Sequence, residues 1–80
     1  MELNDNQISK IETGAFIGLI NLEKIYCQRN IITELQNGTF RELANLLFLG
    51  LNDNQITKIE TGAFLGLIKL QQLFPFGIKW

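Results

Sequence analysis

The 80-residue sequence contains no histidine and a single cysteine. Without histidine, the commonest general base and the commonest metal ligand are both missing. The lone cysteine, Cys27, excludes an intramolecular disulfide, and no activating histidine accompanies its thiol. These absences argue against an enzyme, and we expect no catalytic residues, no cofactor site and no metal site.

Charge and hydropathy further restrict the functional classes to which the protein can belong. The formal net charge of −1 provides no basic field for nucleic acid. The longest apolar stretch, around residues 46–51, is far too short to cross a bilayer. We therefore expect neither nucleic-acid binding nor membrane insertion by this segment. No signal peptide is visible, because Met1 is followed directly by repeat sequence, and this favours a fragment of a longer protein.

The sequence does contain a gapless internal repeat of 24 residues. Its clearest copy is the stretch 46–70, LLFLGLNDNQITKIETGAFLGLIKL, with the spacing L-x-x-L-x-L-x-x-N-x-I. Residues 3–22 and 51–70 differ at three positions, so the closest similarity lies two repeats apart and indicates duplication of a two-repeat unit. The recurring columns include Leu3, Cys27 and Leu51; Asn6, Asn30 and Asn54; Gly14, Gly38 and Gly62; and Phe16, Phe40 and Phe64.

Each copy predicts one coil of a parallel stack. Leu49 and Leu51 alternate with other residues, and this period of two places both leucines on one face of a short strand. Strands from successive copies would lie about 4.8 Å apart in a parallel sheet. A glycine in the second half of every copy disfavours a long helix. We expect turns with at most one short helical turn at residues 15–20, 39–44 and 63–68.

The asparagine and phenylalanine columns have structural interpretations. Asn6, Asn30 and Asn54 follow the predicted strands, where a buried amide can pair with backbone groups that the bend leaves open. Leaving such groups unpaired would cost about 1–3 kcal/mol per site. The alternative, a solvated loop asparagine, accounts less well for recurrence at a fixed spacing. We expect the phenylalanines to stack in the core on the convex side, and Cys27 to be a small buried apolar residue.

Two polar columns alternate in charge along the repeats. They are Asp5, Arg29 and Asp53, and Lys10, Glu34 and Lys58. In a parallel stack each middle residue would face opposite charges in both neighbouring coils. Exposed pairs contribute only about 0–1 kcal/mol each. Their expected role is to align the coils in the right order.

These residues resemble the leucine-rich repeat family, in particular its 24-residue typical type as in extracellular receptor and matrix proteins. The resemblance rests on L-x-x-L-x-L-x-x-N-x-I followed by G-x-F-x-x-L, and covers about residues 1–73. It implies an α/β fold. The expected architecture is a right-handed leucine-rich-repeat solenoid, a horseshoe segment with a short parallel β-sheet on its concave face and turns or short helical turns on its convex face.

The repeat pattern also predicts the domain organisation. We expect one domain over residues 1–80, with repeats at about 1–21, 22–45 and 46–69 and a partial fourth unit at 70–80. Pro75 and Ile78 break the pattern, and the C-terminal residues do not resemble the cysteine-rich caps of extracellular family members. Either this end folds back as a cap or the chain is cut from a longer array, and we favour the second. Because solenoids need caps, we expect marginal stability and self-association through uncapped ends.

Residues between the strand leucines would lie on the concave face, where the resemblance places ligands. The candidate protein-binding residues are Lys24, Tyr26, Gln28, Phe48, Asn52 and Phe74. Aromatic side chains flanked by amides are typical of protein interfaces. The alternative for Phe74 is that it merely serves the C-terminal end.

The functional interpretation is a protein–protein interaction module that binds a protein partner on the concave sheet face. The alternatives are a structural repeat segment of a larger extracellular array with no ligand of its own, or, by family analogy, a non-catalytic partner subunit. We expect an extracellular or cell-surface location in the parent protein. The triplet Asn37-Gly38-Thr39 is an N-glycosylation sequon on the predicted outer surface, which agrees with secretion.

Overall fold

The computed structural model describes residues 1–74, with the backbone alone at Phe74. Its strands are β1 (Lys24–Tyr26), β2 (Glu34–Leu35), β3 (Phe48–Gly50), β4 (Lys58–Ile59) and β5 (Gln72–Phe74). The first sheet is parallel and has the strand order β1-β3-β5. The second sheet consists of β2 and β4, which are also parallel. An isolated parallel bridge between Glu2 and Tyr26 extends the first sheet toward the start of the chain.

The strand register equals the sequence repeat, since every paired residue lies 24 positions from its partner. Phe48 pairs with Lys24 on one side and with Gln72 on the other. Backbone hydrogen bonds continue the ladder past the strand ends, where the Cys27 N–H donates to the Gly50 carbonyl at 2.9 Å. The predicted stack of parallel coils is therefore confirmed. The second sheet was not predicted.

Turns build the side of each coil that lies opposite the first sheet. In every repeat, four N–H groups donate to the carbonyl three residues earlier, and in the second repeat the donors are Thr39, Arg41, Leu43 and Leu46. Such bonds at separated positions are successive β-turns rather than a continuous helix. Within residues 1–74 there is no helix, so only the β part of the expected α/β class is present there. The side of each coil opposite the first sheet consists of turns.

Glycine explains why these turns do not grow into helices. Gly18, Gly38 and Gly66 have φ angles of 83°, 74° and 98°. These left-handed conformations interrupt the right-handed path that a helix requires, and glycine adopts them without steric cost.

The core fills the space between the sheets and the turns. Phe40 is fully buried between Phe16 and Phe64, with ring centroids 5.9 and 6.0 Å apart and nearly parallel planes. Cys27 is also fully buried. The stacked phenylalanine core and the buried cysteine are thus confirmed.

Burial is greatest in the middle of the stack. Leu46, Leu49 and Leu51 are fully buried, whereas Leu22 and Leu70, which occupy the same column as Leu46 in the neighbouring repeats, are only partly buried. A coil at the edge of a solenoid is packed on one side only. Among residues 1–74, the second and third repeats therefore contain most of the buried apolar side chains.

Candidate functional site

The first sheet has one face packed on the core and one face turned away from it, which we call the open face. Ile25 and Leu49 point into the core and are fully buried. Because successive side chains on a strand alternate between faces, the residues beside them lie on the open face. Its first register row is Lys24, Phe48 and Gln72. Its second row is Tyr26 and Gly50, and the backbone of Phe74 pairs beyond Gly50.

An aromatic pair occupies the centre of the open face. The rings of Tyr26 and Phe48 have centroids 4.9 Å apart and are tilted by 44°. Gly50 stands directly opposite Tyr26 in the register and has no side chain. The Tyr26 ring can therefore lean diagonally onto Phe48, a contact that adjacent strands allow for long aromatic side chains. Both rings are half-buried.

The Gln28 side chain fills the space above Gly50 beside this pair. A Cβ atom at position 50 would lie 2.9 Å from Gln28 Oε1 and 3.4 Å from Phe48 Cε1. The Gln28 Oε1 atom is buried and has no hydrogen-bond donor among the described residues. Two residues after Gly50, Asn52 Nδ2 donates to Asp53 Oδ2 at 3.0 Å. The open face therefore combines aromatic surface with amide groups around a strand position that lacks a side chain.

The structure brings five of the six predicted binding residues onto β1, β3 or the residues just after them. These five are Lys24, Tyr26, Gln28, Phe48 and Asn52. The backbone of Phe74 pairs with Gly50 in β5, but its side chain lies outside the described residues. Its membership of the aromatic cluster stays a prediction.

Asparagine side chains connect the coils where the first sheet ends. Asn54 Nδ2 donates to the carbonyl oxygens of Leu51 at 3.1 Å and Cys27 at 3.0 Å. Its Oδ1 accepts from the Ile32 N–H at 3.0 Å. Asn54 is 8% exposed, so these bonds pair backbone groups of two coils with a single buried amide.

The same connection recurs one coil earlier, but not at the start of the chain. Asn30 donates to the carbonyl oxygens of Cys27 and Leu3, and accepts from the Ile8 N–H. Asn6 is exposed, and its amide donates to carbonyl oxygens of its own coil. The asparagine column therefore contains two side chains that join coils and one, that of Asn6, that does not.

Sequence reasoning missed the backbone conformation just before each of these asparagines. Asp5, Arg29 and Asp53 have φ angles of 60°, 57° and 58°. The left-handed region is several-fold enriched in Asp and Asn among residues other than glycine. The repeated Asn-Asp-Asn sequence was a usable signal for two of these three positions, while arginine is an unexpected residue at the third.

One of the two predicted charge columns forms an ion pair. Arg29 donates from Nε and Nη2 to the two carboxylate oxygens of Asp5. These hydrogen bonds hold the pKa of Asp5 below its ordinary value and raise the pKa of Arg29. In the second sheet Glu34 pairs in register with Lys58, but their side chains form no ion pair. The predicted placement of opposite charges in neighbouring coils is therefore present here without direct contact between the charged atoms.

Cys27 lies in the core rather than on a reactive surface. It is fully buried, and burial raises the pKa of its thiol to about 11, partly opposed by the positive N-terminal amine. A thiol with a raised pKa is mostly protonated at neutral pH and reacts slowly.

We expect the Cys27 thiol to destabilise the folded chain at alkaline pH. A raised pKa in the folded state contributes stability that is complete below the unfolded value of about 9 and is lost as the pH rises through about 11. The stability of the wild type relative to Cys27→Ala should therefore fall by about 2 kcal/mol between pH 8 and pH 11. Urea unfolding of both proteins at each pH measures this, and a constant difference would contradict it.

The open face offers aromatic stacking, apolar contact and amide hydrogen bonding. Residues 1–74 contain no cluster of three or more His, Cys, Asp or Glu side chains that could hold a metal ion. Nor does that part of the chain include a helix long and apolar enough to cross a membrane.

Comparison with known proteins gives a family match over most of the chain. The family model described as leucine rich repeat matches residues 1–54 and again residues 20–74. Mouse podocan is 42% identical over 53 residues, which are 64% of this chain and 9% of podocan. Chicken lumican is 41% identical over 52 residues, which are 64% of this chain and 15% of lumican.

These relatives agree with the predicted location. Podocan and lumican are extracellular matrix proteins of a non-enzymatic kind, which supports an extracellular location for the parent protein. The chain spans only between 9% and 15% of the length of these curated relatives.

Proposed function

Because this chain belongs to the leucine-rich repeat family, we propose that it is a non-enzymatic protein-interaction module whose open face binds a protein partner. The observation that carries this proposal is the contact between the Tyr26 and Phe48 rings on the open face. We propose further that the coils belong to a right-handed horseshoe whose concave side is the open face.

The composition of the open face supports a protein ligand. Tyrosine and phenylalanine are enriched at interfaces because they bury large apolar areas, and tyrosine adds a hydrogen-bonding hydroxyl. The Asn52 Oδ1 and Gln28 Nε2 atoms can pair with backbone N–H and C=O groups of a partner. A partner with an apolar anchor followed by an accessible backbone segment would match these features.

The two rings are expected to dominate the binding energy. Central aromatic residues in interfaces commonly cost 2 kcal/mol or more when truncated, about 30-fold in affinity. The double variant Tyr26→Ala/Phe48→Ala should therefore weaken binding by at least about 30-fold. The partner is first captured from connective-tissue matrix extract by the wild-type chain, then purified, and its affinity for each variant is measured by biolayer interferometry.

The matched control removes apolar surface elsewhere. Ile17 and Leu65 are 59% and 70% exposed in the turns, away from the open face. The variant Ile17→Ala/Leu65→Ala should bind with wild-type affinity. Equal affinity for both double variants, with wild-type circular dichroism, would overturn the proposed site.

The N-terminal end of the stack of coils favours a second function. A crevice of about 350 Å³ opens there, with an almost entirely apolar lining that includes Leu3, Ile8, Ile11, Phe16 and Cys27. This surface could stack on a further coil, so the alternative is a structural segment that extends an array or self-associates. Wild-type affinity in Tyr26→Ala/Phe48→Ala, together with concentration-dependent association in sedimentation, would favour this role.

A further inference from the structure

The sequon Asn37-Gly38-Thr39 lies in the turns of the second repeat, away from the open face. We propose that Asn37 is N-glycosylated, and that the sugar is attached before this turn folds. The extracellular location of the parent protein brings the chain through the secretory pathway, where such attachment takes place. The chain contains no other sequon, so any N-linked glycan must be at this position.

The folded turn conceals the hydroxyl that defines the acceptor. Thr39 is 2% exposed, and its Oγ1 donates to the Gln36 carbonyl at 2.8 Å. The Thr39 N–H donates to the same carbonyl, which closes a turn over the whole triplet, and Gly38 has a φ of 74°. A transferase that reads the threonine hydroxyl therefore has no access to it once the turn has formed.

The modified asparagine nevertheless fits the folded structure. Asn37 is exposed, and its Oδ1 accepts from the Gly62 N–H at 2.6 Å. Its Nδ2, the atom that would carry the sugar, has no hydrogen-bond partner among residues 1–74. Because attachment at Nδ2 leaves the amide oxygen in place, the bond to Gly62 survives glycosylation.

There is also room for a sugar next to Asn37. A crevice of about 190 Å³ lies between the turns of the first and second repeats, and Asn37, Thr13, Ile17 and Arg41 are among its lining residues. In the described part of the chain the Arg41 guanidinium has no carboxylate partner. Its N–H groups, together with the Thr13 hydroxyl, are available to the oxygen atoms of a carbohydrate.

The chemical step is a substitution at the first sugar. A new bond joins Asn37 Nδ2 to C1 of an oligosaccharide carried on a lipid diphosphate. The bond between C1 and the diphosphate breaks, the diphosphate leaves with the electron pair, and the amide nitrogen gives up one proton. In the proposed order, the Gly62 N–H and the Gln36 carbonyl take their folded positions only afterwards.

The site is tested by secreting the full chain from mammalian cells behind a heterologous leader. Mass spectrometry before and after peptide-N-glycosidase F should show a glycan at Asn37. Asn37→Gln and Thr39→Ala should abolish it, while Thr39→Ser retains the acceptor hydroxyl and should preserve it. Secreted wild-type chain that lacks the glycan would overturn the proposed site.

The order of events needs a separate measurement. The unglycosylated chain, shown to be folded by circular dichroism, and a synthetic peptide of residues 34–42 are offered to purified oligosaccharyltransferase with a lipid-linked oligosaccharide. The peptide should be modified at least 10-fold faster than the folded chain. Equal rates would overturn the proposed order, and modification of neither would overturn the site as well.

Discussion

Replacing Gly66 by alanine is expected to lower the free energy of unfolding by about 3–4 kcal/mol. A Cβ atom at this position would lie 2.3 Å from the Arg41 carbonyl oxygen and 2.6 Å from the Arg41 Cα. Both are backbone atoms, so no side-chain rotation relieves the overlap and the two coils must separate locally. The φ of 98° adds a conformational free-energy cost for alanine that is absent for glycine.

The matched control for Gly66 is Gly18, which occupies the same repeat position. Its φ is 83°, but a Cβ atom there would have no atom within 4 Å. Gly18→Ala should therefore cost only the conformational term, about 1 kcal/mol. Urea unfolding followed by circular dichroism measures both variants. Equal losses of unfolding free energy in the two variants would show that contact between the coils is not the reason why position 66 requires glycine.

Replacing Asn54 by alanine is expected to cost about 2–4 kcal/mol. The Ile32 N–H and the Leu51 carbonyl would lose the side-chain partner that the structure gives them, and the Cys27 carbonyl would lose one of two donors. These groups are buried where water cannot readily replace the amide. The loss is measured by urea unfolding, as for the glycine variants.

Asn6 provides the comparison within the same column. It is exposed, and the carbonyl oxygens that it pairs with belong to its own coil. Water can substitute for the lost amide, so Asn6→Ala should change stability by no more than about 0.5 kcal/mol. If Asn6→Ala cost as much as Asn54→Ala, the bonds between coils would not be the source of the effect.

Periodicity explains why so much of the fold was predictable from the sequence. A column that recurs every 24 residues must occupy equivalent places in successive coils, so Leu49, Phe40 and Asn54 each indicate the position of a whole column. The parallel register of the first sheet follows from the same spacing. Period-two alternation then separates the buried leucines from Tyr26 and Phe48 on the open face.

Features that depend on backbone dihedral angles were harder to predict from the sequence. The glycine column at positions 14, 38 and 62 disfavours a helix in every copy, yet of these three glycines only Gly38 has a positive φ. Gly18 and Gly66 have the other positive φ values among glycines, and Glu42 replaces glycine in their column. Three repeats are too few to show which position is obligatory when one copy departs from the pattern.

The second sheet and the site geometry were hidden for a different reason. Strands β2 and β4 are two residues long, and Glu34 and Lys58 gave a charge signal without a strand signal. The lean of Tyr26 onto Phe48 depends on the missing side chain at Gly50, which is a relation between strands. Composition identifies the candidate residues, but only the register places them together.

The hydrogen bonds of Asn37 determine how early during synthesis its turn can reach the folded conformation. Its N–H donates to Glu60 Oε1 and its Oδ1 accepts from the Gly62 N–H, 23 and 25 residues further along. The turn around Asn37 therefore cannot acquire these bonds until the third repeat has been translated and has left the ribosome. At about 5–20 residues per second, that delay is roughly 1–5 s. In such an array each coil can complete its folding only after the next coil has been synthesised. A modifying enzyme can act on the unfolded coil during that interval.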